Sequence, residues 1–250
     1  MDWHRQIREA TNRTRGYVRQ TPVMDLTLDT GQNIAVKLEQ MQHTGSFKAR
    51  GAFNTLLSCA VPPAGVVAAS GGNHGAAGAY AAATVGHPAH IFVPEIAGPS
   101  KIALIEAQGA TLHVVPGLYA DALARAEAHE AATGAMQIHA YDAVATIAGQ
   151  GTMAAEWDAQ GRDADTVLIA VGGGGLIAGG LAWWQDRRRV VAVEPETSCA
   201  LKAARAAGAP TPVQVSGIAA NALGASQIGQ MCFDLACAQD TPCLTVPDRA

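Results

Sequence analysis

Lys48 stands among residues that lower the affinity of an amine for a proton. It lies within residues 45–51, which have a glycine at each end and hold small residues and one aromatic ring, Phe47. The pattern predicts a helix over residues 47–57 with Ser46 near its start, so the Lys48 charge opposes the helix dipole. Both features favour the neutral amine, the form that attacks a carbonyl. An ordinary surface lysine is the alternative, but the context favours a Schiff-base lysine.

A glycine-rich turn at residues 172–175 is the second candidate for chemistry. It follows a strand predicted over residues 166–171 and precedes a helix that runs to about residue 186. Such a turn aims backbone N–H groups and the positive end of the helix dipole at one point. Four consecutive residues without Cβ let the backbone close around a phosphate. Tight packing of the helix on the strand would explain one glycine, whereas four in succession favour an anion site.

A second glycine-rich turn, at residues 70–75, carries polar side chains. Ser70, Asn73 and His74 lie among three glycines, before a helix predicted over residues 76–85. Either Ser70 or Asn73 alone could serve only as a helix N-cap. Together, a hydroxyl, an amide and several backbone donors suit a carboxylate or a cofactor hydroxyl.

Strands and helices alternate around these turns. Short apolar strands that alternate with helices predict an α/β fold with mostly parallel sheets. The predicted strands cover residues 34–39, 65–69, 90–94, 111–115, 137–139, 166–171 and 190–194. The predicted helices cover residues 2–15, 47–57, 76–85, 100–108, 119–132 and 147–160, with weaker signals at 198–207 and 224–238.

Composition narrows the possible partners. The 250 residues are 49% apolar and 15% charged, enough for a sizeable core in one large or two small domains. The net charge is −4 with scattered positive residues, so no nucleic-acid partner is expected. Five cysteines without a CxxC pair or a signal peptide predict reduced thiols, a cytoplasmic location and no metal site. No apolar stretch is suited to span a membrane.

Three separated motifs carry a family resemblance. The stretches SFKARGA at 46–52, SGGNHG at 70–75 and GGGG at 172–175 have the order and spacing of the serine/threonine dehydratases, and IAGQGT at 147–152 resembles the stretch before their phosphate loop. These are fold-type II, tryptophan-synthase-β-like pyridoxal-phosphate enzymes, and the resemblance covers nearly the whole chain. It implies a homodimer and two three-layer α/β/α lobes. The large domain would comprise 1–52 and 141–250, and the small substrate-loop domain 53–140.

The resemblance also implies roles for matched residues. Lys48 resembles the lysine that binds pyridoxal 5'-phosphate and then takes the substrate Cα proton. Phe47 resembles the aromatic residue beside it, and Asn73 the asparagine that hydrogen-bonds the cofactor 3'-oxygen. The phosphate cradle would comprise Gly172, Gly173, Gly174, Gly175 and Leu176. The loop that closes on the substrate carboxylate would comprise Ser70, Gly71, Gly72 and His74. The implied reaction removes water from a small β-hydroxy amino acid such as threonine or serine, leaving a 2-keto acid and ammonia.

The chain departs from the family pattern at three places. Gly71 stands where serine racemases carry a second serine, which disfavours racemisation. Ala200 stands where some relatives have an aspartate that binds a cation with the counterpart of Glu194. No metal is therefore predicted, and Glu194 is expected to be a surface carboxylate at the sheet end. We find no counterpart of the Ser or Thr that contacts the pyridine nitrogen. Either the chain is incomplete or its site lacks that partner, and the large domain is expected to lack its C-terminal part.

Other functions stay open at this point. Cysteine-synthase-like β-replacement is the nearest, but those enzymes carry a different lysine motif and usually Thr in place of His74. A nicotinamide-dependent oxidoreductase would use Gly173, Gly175 and Ala178 as a GxGxxA fingerprint with Glu194, and leaves Lys48 unexplained. A non-catalytic binding protein is the third alternative.

Overall fold

The computed structural model describes residues 1–249. Contacts within the chain divide it into two compact units. One unit is Thr14–Gln137, and the other joins Met1–Arg13 to the chain from Ile138 onward. The domain limits expected from the sequence, 1–52 with 141–250 and 53–140 alone, stay a prediction.

The helices and strands follow one another in this order along the chain: α1 (Trp3–Thr14), β1 (Val23–Thr27), β2 (Asn33–Lys37), α2 (Lys48–Leu57), β3 (Val66–Ala69), α3 (Asn73–Thr84), β4 (Ala89–Pro94), α4 (Pro99–Glu106), β5 (Thr111–Val115), α5 (Tyr119–Thr133), β6 (Met136–Gln137), α6 (Val144–Ala159), β7 (Thr166–Ala170), α7 (Gly175–Trp184), β8 (Arg189–Pro195), α8 (Ala200–Ala207), α9 (Ala220–Leu223), α10 (Gln230–Ala238) and β9 (Cys243–Val246). Short 3-10 turns lie between some of them.

The unit of residues 14–137 is built on a parallel sheet with the strand order β5-β4-β3-β6. Successive strand residues point to opposite faces, and both faces are covered. Val67 and Phe92 pack against α5 on one face, whereas Ala68 and Ile91 pack against α3 and α4 on the other. This explains why the two central strands, β3 and β4, are short, apolar and almost entirely buried. A separate antiparallel pair, β1 with β2, precedes the sheet. Strand β1 was not predicted, because four of its five residues are exposed and carry no burial pattern.

The other unit holds a parallel sheet with the strand order β7-β8-β9. Helices α1, α6 and α7 pack together in a core that contains small residues, and glycines allow the helices to lie close to each other. A Cβ added to Gly179 of α7 would lie 2.5 Å from the backbone N of Gly151 in α6. A Cβ added to Gly151 would lie 2.6 Å from Ile7 Cδ1 in α1. The high Ala and Gly content therefore permits close helix packing here.

The predicted α/β class with parallel sheets is confirmed. The helix after β3 differs from the prediction, since α3 begins at Asn73 and not near residue 76. Strand β9 lies in the C-terminal part, where the sequence pattern was weak, and was not predicted. All five cysteines are free thiols. In the described part of the chain, no helix combines the length and the apolar character needed to cross a membrane.

Candidate active site

Lys48 is the first residue of α2 and has a desolvated amine. The preceding residue, Phe47, is the N-cap and offers no side-chain cap hydrogen bond. The Lys48 Nζ lies 5.3 Å from the centroid of the Phe47 ring. Burial lowers the pKa of Lys48 from 10.5 to about 8. A neutral amine is therefore accessible near neutral pH, as a nucleophilic or basic lysine requires.

A buried ion pair fixes the helix that carries Lys48. Arg50 is fully buried and donates to Glu39 through Nε to Oε2 and through Nη2 to Oε1, each at 2.7 Å. Thr21 Oγ1 also donates to Glu39 Oε1, at 2.6 Å. A bidentate arginine–carboxylate pair is geometrically strict, so it holds the first turn of α2 in place. Arg50 was not predicted to have a role, although its charge within a stretch of small residues was an available signal.

The turn after β3 places its polar residues at the start of α3. Gly72 is the N-cap residue, and no side chain caps the helix. Ser70 Oγ instead accepts a hydrogen bond from the Gly72 N–H at 3.2 Å. Asn73 is exposed, whereas His74 is 8% exposed. The simple N-cap explanation for Ser70 or Asn73 is therefore wrong, because neither side chain caps α3.

The four glycines of residues 172–175 lie between β7 and α7 in the other unit. Gly174 adopts a left-handed conformation with φ of 94°, and α7 begins at the next residue. In the described chain, the N–H groups of Gly172, Gly173 and Gly174 donate to no protein acceptor. Unused backbone donors at a helix N-terminus are suited to bind an anion. The cofactor phosphate fits this arrangement, and Leu176 follows in the first turn of α7.

The same glycines also pack tightly against neighbouring side chains. A Cβ on Gly173 would lie 2.3 Å from Tyr141 Cδ1, and one on Gly175 would lie 3.0 Å from Tyr141 Cα. A Cβ on Gly174 would lie 2.5 Å from Cys232 Sγ. Close packing and anion binding therefore both require glycine here. The packing of Tyr141 on the glycines was not predicted, because the two are distant in the sequence and meet only in the tertiary structure.

The prediction that Glu194 is a surface carboxylate is wrong. Glu194 is fully buried at the end of β8. Its oxygens accept the N–H groups of Leu201 at 2.7 Å and Lys202 at 2.9 Å, at the start of α8. Burial raises its pKa, and these hydrogen bonds act in the opposite direction. Each oxygen of Glu194 thus accepts a backbone N–H group, and Ala200 offers no carboxylate beside it. Because Glu194 is fully buried, it is also not placed to bind the ribose of a nicotinamide cofactor.

The predicted site residues fall into two groups. Seven lie in the unit of residues 14–137, on α2, α3 and the turn before α3: Phe47, Lys48, Ser70, Gly71, Gly72, Asn73 and His74. Five lie in the other unit, at the start of α7: Gly172, Gly173, Gly174, Gly175 and Leu176. Within the first unit α2 packs on α3, with the Phe53 ring 5.8 Å from the Tyr80 ring.

Comparison with known proteins shows the family of the chain. Residues 14–250 match the sequence profile of the pyridoxal-phosphate dependent enzymes. The chain belongs to this family. The maize serine racemase structure superimposes with a TM-score of 0.93 at 32% identity, over 98% of this chain and 77% of the racemase. The protein is therefore a pyridoxal-phosphate enzyme of fold-type II, and the predicted family, cofactor and fold are confirmed.

Two relatives known by sequence carry activity names. A putative threonine dehydratase of Sinorhizobium fredii is 37% identical over 226 residues, which are 87% of this chain and 68% of that protein. A phenylserine dehydratase of Ralstonia pickettii is 34% identical over 233 residues, which are 89% of this chain and 71% of that protein. The chain thus spans about two thirds of the length of each.

Proposed function

We propose that this enzyme is a dehydratase, a deaminating ammonia-lyase, that acts on a small β-hydroxy amino acid such as threonine or serine. The observation that carries the proposal is the Lys48 amine, whose pKa burial lowers to about 8 beside the Phe47 ring. The names of the two relatives, a putative threonine dehydratase and a phenylserine dehydratase, support this reaction class.

Each proposed site residue has one task. Bound pyridoxal phosphate supplies an electron sink for the pair released at the substrate Cα. The Lys48 Nζ would hold the cofactor and would take the substrate Cα proton. Asn73 would hydrogen-bond the cofactor 3'-oxygen, and Phe47 lies beside the lysine. The residues that hold the substrate carboxylate are Ser70, Gly71, Gly72 and His74. The residues that hold the phosphate are Gly172, Gly173, Gly174, Gly175 and Leu176.

The overall reaction balances without a further reactant. The Cα–H and Cβ–O bonds break, and the hydroxyl leaves as water. The resulting enamine takes up one water and releases ammonia, leaving the 2-keto acid. Lys48 is thus required twice, to hold the cofactor and to move the Cα proton.

Racemisation is the second candidate, because the chain resembles maize serine racemase. Gly71 has no hydroxyl to move a proton on the opposite face of the substrate. A Cβ at residue 71 would also lie 2.5 Å from the Ala97 Cβ and 3.3 Å from Val93 Cγ1. Elimination is therefore expected to outpace racemisation. A chiral assay in which L- and D-serine interconvert as fast as keto acid forms would contradict this.

The test of the proposed function uses the Lys48→Ala variant, with Lys202→Ala as the matched control. The control lysine is exposed, and its Nζ donates to Thr245 Oγ1 at 3.2 Å. Purified protein with pyridoxal phosphate should show an absorbance band at the visible edge that borohydride abolishes. Keto acid should form from at least one of a panel of hydroxy amino acids. Lys48→Ala should lose band and activity, and Lys202→Ala should keep both. A protein that stays colourless with added cofactor would refute the proposal.

We further propose a homodimer in the cytoplasm. The family resemblance supports the dimer, and an exposed apolar row on β1 and just beyond it, Met24, Leu26 and Leu28, offers a surface for a second copy. The free cysteines support a reducing compartment. Light scattering of the purified protein should give the mass of two chains.

A further inference from the structure

The carboxylate of Asp142 caps a helix that lies far away in the sequence. Its Oδ2 accepts the N–H of Gln230 at 2.9 Å, and its Oδ1 accepts the N–H of Met231 at 3.0 Å, 88 and 89 positions along the chain. These are the first two residues of α10, whose N-cap residue, Gly229, has no side chain to cap the helix. A carboxylate at this place satisfies free backbone donors and matches the positive end of the helix dipole. Asp142 therefore fixes the start of α10 from outside the helix.

Asp142 and the start of α10 fit each other closely. A Cβ added to Gly229 would lie 2.8 Å from Asp142 Oδ1 and 2.9 Å from the Asp142 Cβ, so a larger residue would displace the carboxylate. The backbone of Asp142 is held separately, because its N–H donates to His139 Nδ1 at 2.8 Å. Thr146 of α6 in turn donates through Oγ1 to the His139 carbonyl at 3.0 Å. The Asp142 carboxylate thus ties α10 to the segment that begins α6.

The start of α10 supports the glycine turn of residues 172–175. The Gly229 N–H donates to the carbonyl of Gly173 at 3.1 Å. Cys232, in the first turn of α10, is buried against the next residue, since a Cβ on Gly174 would lie 2.5 Å from its Sγ. The backbone that carries the unused N–H donors of the turn is therefore held by α10. A shift of α10 would move these donors.

We propose that Asp142 is a positioning residue for the cofactor phosphate. Its carboxylate holds α10, and α10 holds the glycine turn so that its N–H groups meet the phosphate oxygens. The inference rests on the phosphate site of the proposed function and does not depend on the substrate. Gly172 and Gly173 are only half-buried, so this part of the turn is open to a ligand. Binding groups must be held to within about 0.5 Å of their working positions, so a residue that acts through α10 still changes the affinity.

The test measures the phosphate preference, which is the Kd of pyridoxal divided by the Kd of pyridoxal 5'-phosphate. Both aldehydes react at Lys48 and only one carries a phosphate, so a general loss of folding cancels in the ratio. Asp142→Ala should lower the phosphate preference about tenfold, the effect of one lost hydrogen bond to a charged group. Asp142→Asn keeps one oxygen that accepts an N–H, so it should lower the preference only about threefold. Absorbance titration of ligand-free enzyme gives both constants without turnover.

The matched control is Asp121→Ala. Asp121 Oδ2 accepts the N–H of Leu118 at the start of α5 at 2.7 Å, so it is also an aspartate that caps a helix. It lies in the unit of residues 14–137, whereas the glycine turn lies in the other unit. Each alanine variant should lower the melting temperature of ligand-free protein by about 2–4 °C, because each loses a helix cap. Only Asp142→Ala should lower the phosphate preference.

Gly173→Ala separates the inference from the phosphate site on which it rests. This variant distorts the turn itself, so it should also lower the phosphate preference. If Gly173→Ala lowers the preference but Asp142→Ala has no more effect than Asp121→Ala, the inference is overturned and the phosphate site stands. If neither lowers it, the phosphate binds elsewhere and both are wrong. Should Asp142→Ala fail to fold, an unchanged phosphate preference in Asp142→Asn overturns the inference instead.

Discussion

The pKa of Lys48 predicts how fast the enzyme takes up its cofactor at different pH values. Only the neutral amine attacks the cofactor aldehyde. With a pKa of about 8, about 9% of Lys48 is neutral at pH 7, against about 0.03% for a lysine with a pKa of 10.5. The difference is about 300-fold in the reactive form. We therefore expect uptake to rise about tenfold between pH 6 and 7 and to level off above pH 8.

The same pKa shift makes the stability of the ligand-free protein depend on pH. The folded pKa lies below the unfolded value, so between pH 8 and 10.5 the unfolded chain binds more protons. The free energy of unfolding therefore rises with pH through this window. One pKa unit corresponds to about 1.4 kcal/mol, so the rise is at most about 3 kcal/mol. Lys48→Met should remove this part of the pH dependence, because it has no proton to release.

Stopped-flow absorbance of ligand-free enzyme mixed with pyridoxal phosphate measures the uptake rate. Nα-acetyl-lysine serves as the reference amine and corrects for titration of the cofactor itself. The chain has four lysines, Lys37, Lys48, Lys101 and Lys202, so borohydride reduction and peptide mapping identify the modified one unambiguously. A rate that still rises tenfold per pH unit between pH 9 and 10 would refute the argument from burial. Labelling of another lysine would refute the assignment of Lys48.

Two further predictions concern the supports of the site. Gly173→Ala should weaken cofactor binding at least tenfold and cost about 1–3 kcal/mol of stability, because its Cβ would meet the Tyr141 ring at 2.3 Å. Cofactor titration measures the affinity, and urea unfolding measures the stability. Adding Tyr141→Ala to the Gly173→Ala variant should recover part of the lost stability. Wild-type cofactor affinity in the Gly173→Ala variant would contradict the packing argument. Glu39→Gln should cost about 3–5 kcal/mol, since it leaves the Arg50 guanidinium buried without its carboxylate. A urea-unfolding loss below about 1 kcal/mol would show that the pair does not fix α2.

Local sequence patterns determined the strand and helix order of most of the chain. Strands β3, β4 and β8 are short apolar runs that are mostly buried, and such runs are visible without tertiary information. The strands that escaped prediction lack this signal. Strand β1 is mostly exposed, and β9 alternates between half-buried and exposed residues. Strand β9 pairs with β8, which ends at Pro195, so the place of β9 is decided by a strand far from it in the sequence.

The candidate chemistry was also visible in the sequence. Lys48 lies among small residues at a helix start, and the two glycine turns follow strands, so residue type and position together predicted a Schiff-base lysine and an anion site. The family and its cofactor were predicted from the resemblance that the same motifs carry. The reason is local: a phosphate-binding turn and a nucleophilic lysine need particular residue types at adjacent positions.

Only the tertiary structure decided what supports these residues. It buried Glu194 against the start of α8, where the sequence predicted a surface carboxylate. It paired Arg50 with Glu39, eleven positions away in the chain. It left the hydroxyls of Thr44 and Ser46 buried without partners. Burial and hydrogen bonding between distant residues depend on how the elements pack, and no local pattern encodes them. The sequence therefore predicted which residues do the chemistry around Lys48, and the fold decided the burial that lowers the pKa of Lys48.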